Sequence, residues 1–168
     1  VMAADFSPER RKVAEALGAD IVLNPAETSP YEAWTDFAGQ IYPSSPLLER
    51  EFKGRPPGLN MFECTGVAGV LSQAVNSAPP HAHIVVAGVC PHEETITPLE
   101  GILRELTLEF SFAYRPEEFA AALRMIAEHP EKVSRLITSQ RPLAETEQAF
   151  NDLAKHPSEI KVLISPQD

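Results

Sequence analysis

Cysteine, basic side chains and long apolar runs are scarce in this chain. Its two cysteines, Cys64 and Cys90, lie in or beside apolar strands, which excludes a disulfide framework and indicates a reducing compartment. The 14 lysines and arginines stand against 24 aspartates and glutamates, a net charge of −10, which excludes a nucleic-acid binder. No apolar run approaches a membrane span and no signal peptide opens the chain, so we expect no membrane partner and a cytoplasmic location.

The sequence also lacks the short motifs that would place a reaction centre on it. It contains no G-x-G-x-x-G, no nucleophile-elbow serine and no phosphate-binding lysine motif. His81 and His83 start a predicted strand whose other end carries Cys90 and His92. At about 3.3 Å per residue these ends lie roughly 23 Å apart, too far to share a metal ion whose ligands lie within about 2.0–2.3 Å. We therefore expect no catalytic residue and no metal ligand in this chain.

The stretch Leu59–Val89 organises the rest of the chain. Met61–Cys64 and Ile84–Ala87 are short apolar runs, and between them apolar residues recur at helical spacing over Val70–Ala78. Strands that do not alternate between apolar and polar residues are typical of a parallel sheet covered on both faces. The sequence therefore predicts a strand–helix–strand crossover.

The remaining segments repeat these two patterns around an irregular, proline-rich loop predicted at 40–58. Strand patterns cover Val1–Ala4, Ile21–Leu23, Leu106–Tyr114, Leu136–Thr138 and Ile160–Ile164. Helix patterns cover 8–17, Tyr31–Gly39, Leu99–Glu105, Pro116–Glu128 and Leu143–Lys155. The alternation predicts an α/β fold with a mostly parallel sheet.

Ligands of such a sheet bind beyond the carboxyl ends of its strands. Asp5 follows the first strand, where a carboxylate would bind both adenosine ribose hydroxyls and repel the extra phosphate of NADP; a solvated turn residue is the alternative. Gly66 and Gly88 follow two further strands, where glycine either admits a ligand close to the backbone or only turns the chain. These residues alone leave both alternatives open.

Several segments, taken in order, resemble the carboxyl-terminal half of zinc-dependent medium-chain alcohol dehydrogenases, nearest to the threonine and sorbitol dehydrogenase-like members. They are DFSPERRKVAEALGAD, FECTG, IVVAGV, ELTLEF and AFNDLAKHPSEIKVLISP, and the match extends from Val1 to Pro166. The resemblance implies a Rossmann-type doubly wound sheet that is incomplete, because the first strand and the glycine-rich loop are absent. His81 to His83 departs from the family, which usually has glycines before this strand.

The resemblance also implies that the chain binds NAD, while the zinc of the intact parent is held elsewhere. Asp5 and Arg10 would contact the adenosine. Thr65 and Gly66 would line the cofactor cleft. Backbone of two further segments would face the nicotinamide: Ala87, Gly88 and Val89 in one, and Ser111 to Ala113 in the other.

By the same resemblance, residues 1–130 would form the nucleotide-binding domain without its first βα unit. Residues 131–168 would pack against the absent catalytic domain. The intact parent would transfer hydride between an alcohol or carbonyl substrate and NAD. We expect the chain alone to be inactive, because the zinc ligands and the phosphate loop are missing.

Two alternatives remain at this stage. One is an S-adenosylmethionine-dependent methyltransferase-like domain, in which an acid after the second strand would also bind a ribose. The other is a non-catalytic remnant that serves only assembly.

Without a central first strand, Val1–Ala4 and Met61–Cys64 would each present an unpaired backbone edge. We expect the two strands to pair directly or to accept a strand from another copy. A homodimer is expected on either account, since family assembly also runs through the sheet edge near Leu106–Tyr114.

Overall fold

The computed structural model describes residues 1–41, 59–155 and 159–166. These residues form two compact units. The continuous unit is Ser29–Ala113, and the split unit combines Val1–Thr28 with Tyr114–Asp168. None of the helices in the described ranges has the length and apolar character needed to cross a membrane. The loop predicted at 40–58 lies outside the described residues, apart from the last two residues of a helix.

The continuous unit is a three-stranded parallel sheet with its crossover helices. Its elements are α2 (Pro30–Ile41), β3 (Asn60–Glu63), α3 (Val70–Ser77), β4 (His83–Val86), α4 (Pro98–Arg104) and β5 (Thr107–Phe110). The strand order is β3-β4-β5, and both neighbouring pairs are parallel. The strand–helix–strand crossover predicted from the apolar runs is thus confirmed.

The core of the continuous unit lies around α3 and β4. Ile84, in the middle of β4, is 0% exposed, and Trp34 of α2 is also buried. Ala74 and Val75 are the buried face of α3. The Arg104 guanidinium donates to the carbonyls of Val75 (3.2 Å) and its neighbour (2.6 Å), which satisfies groups that the end of α3 would otherwise leave unpaired.

The split unit contains two separate pairs of parallel strands. Its elements are β1 (Met2–Ala4), α1 (Pro8–Ala16), β2 (Ile21–Leu23), α5 (Pro116–Glu128), α6 (Pro130–Ser134), β6 (Ile137–Pro142), a 3₁₀ turn (Leu143–Glu145), α7 (Thr146–Lys155) and β7 (Lys161–Ser165). Strand β1 pairs with β2, and β6 pairs with β7. Each pair is joined by one crossover helix, α1 or α7.

Local chemistry fixes both ends of α1. Ser7 is its N-cap, and the side-chain oxygen accepts from the Arg10 amide at 3.4 Å. Pro8 occupies the first turn, where its missing N–H leaves no gap in the helix. Beyond the helix, Gly18 takes a φ of +100°, which a side chain would disfavour. The turn directs the chain into β2.

The fold class is confirmed, and one way of completing the sheet is not observed. Within the described residues β1 pairs only with β2, and β3 only with β4. Direct pairing of Val1–Ala4 with Met61–Cys64 is therefore not formed. Strand β5 is also shorter than the predicted 106–114, because its partner β4 ends at Val86 and offers no further residues to pair with.

Candidate functional site

The carboxyl end of β3 turns sharply around the side chain of Glu63. Glu63 is 4% exposed, and one of its carboxylate oxygens, Oε1, accepts hydrogen bonds from the residues two and three positions further along the chain. The donors are the amide of Thr65 (2.6 Å), its hydroxyl, and the amide of Gly66 (3.0 Å). The amides of this turn are therefore hydrogen-bonded to a buried carboxylate rather than to water.

Gly66 and Gly88 bring the backbones after β3 and β4 into direct contact. A Cβ on Gly88 would lie 2.3 Å from the amide nitrogen of Gly66. A Cβ on Gly66, whose φ is +63°, would lie 2.4 Å from the carbonyl oxygen of Val89. Neither position has room for a side chain, so both glycines are required by a close approach of backbone to backbone.

The other predicted residues of the continuous unit follow the same strand ends. The amides of Ala87 and Gly88 both donate to the Glu63 carbonyl at 2.8 Å. The Ser111 amide donates to the Val86 carbonyl at 2.9 Å, which places the residues after β5 beside those after β4. Ala113 lies further on and is exposed. The structure thus brings the predicted positions from Thr65 to Ser111 to one edge of the sheet.

Two more acidic contacts shape this edge. Glu94, in the loop after β4, accepts from the amides of Gly69 (2.8 Å) and Ser72 (3.2 Å) at the start of α3. A carboxylate is favoured there because the first helical amides are unpaired. Burial raises the pKa of Tyr31, and the charges of Glu63 and Glu94 raise it further. This edge of the sheet therefore carries the negative charges of Glu63 and Glu94.

Asp5 and Arg10 lie in the split unit, at the carboxyl end of β1. The Asp5 amide donates to the Leu23 carbonyl at 3.2 Å, which extends the ladder to β2. Its Oδ1 accepts from the Ser7 amide at 2.8 Å, while Oδ2 lies 3.8 Å from Arg10 Nη1. The Asp5 side chain is 37% exposed. One oxygen therefore closes the turn, and the other has acceptor capacity for a ligand.

The two histidines before and at the start of β4 each face a glutamate: His83 faces one on β5, and His81 faces one at the end of α4. His83 Nε2 lies 2.9 Å from Glu109 Oε2, and His81 Nδ1 lies 3.5 Å from Glu105 Oε2. These pairs lie at the amino end of β4, opposite the edge described above. In the part of the chain that the structure describes, no group of His, Cys, Asp and Glu is arranged to hold a metal ion.

Parallel strands joined by crossover helices, with glycine backbones in close contact after β3 and β4, are typical of α/β proteins that bind a ligand at the carboxyl ends of their strands. Comparison with known proteins narrows the class. The family described as "Zinc-binding dehydrogenase" matches residues 1–128, and the chain belongs to this family. The methyltransferase alternative is not favoured.

Known relatives cover nearly all of this chain. It is 30% identical over 167 residues to (R,R)-butanediol dehydrogenase of Bacillus subtilis (strain 168), covering 99% of the chain and 43% of that protein. The human sorbitol dehydrogenase is 26% identical over 155 residues, with 92% and 40% covered. The crystal structure of 2R,3R-butanediol dehydrogenase from Bacillus subtilis superposes with a TM-score of 0.77, at 28% identity and 99% and 43% coverage. The chain thus spans about two-fifths of the length of these relatives.

Sequence reasoning selected the glycines at this edge but missed the acidic side chains that build it. Glu63 stands in an apolar run, where a single acidic residue predicts only a polar strand end. Glu94 lies in a loop whose sequence has neither helical nor strand periodicity. The one usable signal was Glu63 within an otherwise apolar strand, since a charge in that position must have partners if the strand is buried.

Proposed function

We propose that this chain is the NAD(H)-binding portion of a zinc-dependent alcohol dehydrogenase. The intact parent would transfer hydride between an alcohol or carbonyl substrate and NAD. The observation that carries the proposal is the carboxylate of Asp5 at the carboxyl end of β1, where Oδ2 lies 3.8 Å from Arg10 Nη1 and the side chain is 37% exposed. The family match over residues 1–128 supports it.

The residues present fit a dinucleotide at two places. Asp5 can accept hydrogen bonds from a ribose diol, and its charge disfavours a phosphate at the same hydroxyl. Gly66 and Gly88 hold the backbones after β3 and β4 against each other, and we assign these two turns to the remainder of the cofactor. Val89, 83% exposed, supplies apolar surface next to these glycines. Once bound, NAD supplies the hydride acceptor.

The residues that we assign to the adenosine are Asp5 and Arg10. The residues that we assign to the remainder of the cofactor are Thr65, Gly66, Ala87, Gly88, Val89, Ser111 and Ala113. We propose that residues 1–130 are the nucleotide-binding domain and that 131–168 pack against a catalytic domain outside this sequence. That domain would hold the zinc ligands.

We further propose a cytoplasmic homodimer. Both cysteines are free thiols, which supports a reducing compartment. Strand β5 ends the order β3-β4-β5 and has no second strand partner within the described ranges. Phe110 and Phe112 beside this edge are 69% and 100% exposed, so the edge offers both backbone groups and apolar surface to a second copy.

The test compares NADH and NADPH binding, followed by cofactor fluorescence, in the 168-residue chain and in the intact parent. Asp5→Ala should weaken NADH binding about tenfold or more, because a charged acceptor is lost, and should reduce the preference over NADPH. Asp36→Ala, which removes an exposed carboxylate from α2, is the matched control and should change neither. An Asp5→Ala parent that keeps its full preference would show that this carboxylate is not the discriminator.

A further inference from the structure

Glu63 is a buried carboxylate to which neither the sequence pattern nor the proposed cofactor contacts give a role. A buried charge is costly unless hydrogen bonds replace its lost hydration. Here Oε1 alone accepts from the Thr65 amide, the Thr65 hydroxyl and the Gly66 amide. The carboxylate is therefore compensated almost entirely by the turn that follows it.

The same residue also holds the turn after β4. Its backbone carbonyl accepts from the amides of Ala87 and Gly88, both at 2.8 Å. Its second carboxylate oxygen, Oε2, faces Gly88 so closely that a Cβ there would lie 2.5 Å away. One residue thus binds the backbones after β3 and β4 through different atoms.

The two turns that Glu63 holds are the ones in which Gly66 and Gly88 contact each other. Gly66 and Gly88 meet with no side chain between them, so their relative placement depends on what holds each backbone. The Thr65 hydroxyl, while donating to Glu63, also accepts from the Val67 amide at 3.2 Å, which extends the network to the start of the next segment. Withdrawing the carboxylate would release two backbone amides and one hydroxyl together.

We propose that Glu63 is a positioning residue, which fixes the turns after β3 and β4 in the arrangement that meets the nicotinamide end of the cofactor. It acts through Thr65, Gly66 and Gly88 and does not itself touch the cofactor. This inference rests on the proposed function for its consequence, but the positioning itself is a property of the chain without ligand.

The test separates the reach of the side chain from its charge. Glu63→Gln keeps an oxygen at the same distance and removes the charge, whereas Glu63→Asp keeps the charge and withdraws it by one methylene. Glu93→Gln, an exposed residue of the loop after β4, is the matched control. Amide hydrogen exchange of the full chain without ligand, followed by NMR, is the measurement.

Glu63→Asp should accelerate exchange at Thr65 and Gly66 by about tenfold or more, because hydrogen bonds to a charged acceptor are lost. Glu63→Gln should retain most of the wild-type protection at Thr65 and Gly66. Exchange in the core of α3 at Val75 should stay unchanged in both variants. Equal protection in wild type and Glu63→Asp would overturn the proposal. So would a loss of protection spread evenly over the whole sheet, which would mark a purely structural residue.

A second measurement, NADH binding, distinguishes this proposal from the proposed function. If the chain and its parent bind NADH, Glu63→Asp should weaken binding about tenfold, and Glu63→Gln should stay close to wild type. Binding that is equally tight in Glu63→Asp would overturn the consequence for the cofactor. A complete lack of NADH binding by wild type would refute the proposed function, while the exchange result would still decide whether Glu63 positions the turns.

Discussion

At the scale of single residues, the backbone contact between Gly66 and Gly88 gives the most specific expectation. Gly88→Ala places a methyl 2.3 Å from the Gly66 nitrogen and 2.5 Å from the Glu63 carboxylate. Backbone cannot withdraw as a flexible side chain can, so we expect a loss of about 1–3 kcal/mol in the free energy of unfolding. Chemical denaturation followed by circular dichroism measures it.

Gly101→Ala is the matched control for that substitution. Gly101 lies within α4 and has open space around its added Cβ. Alanine there should raise stability by up to about 1 kcal/mol, because glycine is a poor helix former. A Gly88→Ala chain as stable as the Gly101→Ala chain would contradict the close contact.

The thiol of Cys64 should react slowly although it reaches the surface. Burial raises its pKa, and the negative charge of Glu63 raises it further. The thiolate is the reactive form, so the thiol should stay protonated above the ordinary cysteine pKa of about 8.5. The measurement uses a Cys90→Ser chain and iodoacetamide at pH 8, with the product followed by mass spectrometry. Alkylation of Cys64 should be slower than alkylation of the glutathione thiol under the same conditions.

Two outcomes bear on this expectation for Cys64. Glu63→Gln should accelerate the alkylation only in part, because burial is the larger cause of the raised pKa. A rate equal to or above that of glutathione would show that the thiol is not perturbed in the way the structure indicates.

The sequence could place Asp5, Gly66 and Gly88 after strand ends, because strand ends and glycines are recognisable from the sequence itself. It could not predict Glu63 as a structural centre. Its importance depends on amides two and three residues onward and on the turn after β4, which become its neighbours only when the parallel ladder forms. Burial of a polar group is a three-dimensional property.

At the scale of elements, helix α5 depends on a contact at its first turn. Glu118 accepts from the Arg115 amide at 2.7 Å and from the Arg115 guanidinium at 3.2 Å, and these bonds lower the pKa of Glu118. The stability that this group adds is present above the ordinary glutamate pKa of about 4.3 and is lost as pH falls through the lowered value.

Glu118→Gln should therefore make the chain less sensitive to acid over that window. The measurement is the thermal unfolding midpoint at neutral pH and at a pH below the ordinary glutamate pKa. The difference between the two midpoints should be smaller than in wild type. Glu117→Gln, an exposed neighbour in the same first turn, is the control. An equal change in both variants would mean that the Arg115 contact adds nothing.

The sequence predicted strands well where their apolar runs are continuous. It predicted strand lengths wrongly where pairing with a neighbouring strand sets the length. Strands β3 and β4 follow directly from their apolar runs. Strand β6 was predicted only at Leu136–Thr138, yet it extends to Pro142, because polar residues from Ser139 onward pair with β7. Helix α6 was missed because Pro130 predicts a helix end, although proline also suits a first turn.

At the scale of the whole molecule, we expect the 168-residue chain to show no dehydrogenase activity. Within the described residues no cluster could hold a zinc ion, and the sequence has no glycine-rich phosphate loop. Reduction of NAD in the presence of zinc, with butanediol or sorbitol as substrate, should not exceed the rate without protein. Alcohol-dependent reduction by the purified chain would refute this expectation.

The proposed homodimer gives a second expectation at this scale. Phe112, fully exposed after β5, should lie in the contact between copies, so Phe112→Glu should weaken association about tenfold or more. Sedimentation velocity over a concentration series measures this. Leu103→Glu, an exposed apolar residue on α4, is the control and should leave association unchanged. A wild-type chain that stays monomeric throughout the series would contradict the dimer.

The division into a continuous and a split unit has a consequence for how the chain folds. All contacts within the continuous unit join residues of one uninterrupted segment, Ser29–Ala113. The split unit must instead bring Val1–Thr28 together with residues that follow Ala113, and so it must close the whole of that segment as a loop. Loop closure costs entropy that grows with length, and distant contacts form slowly. During synthesis the contacts that join Val1–Thr28 to the residues after Ala113 therefore cannot form until the whole continuous unit has been made.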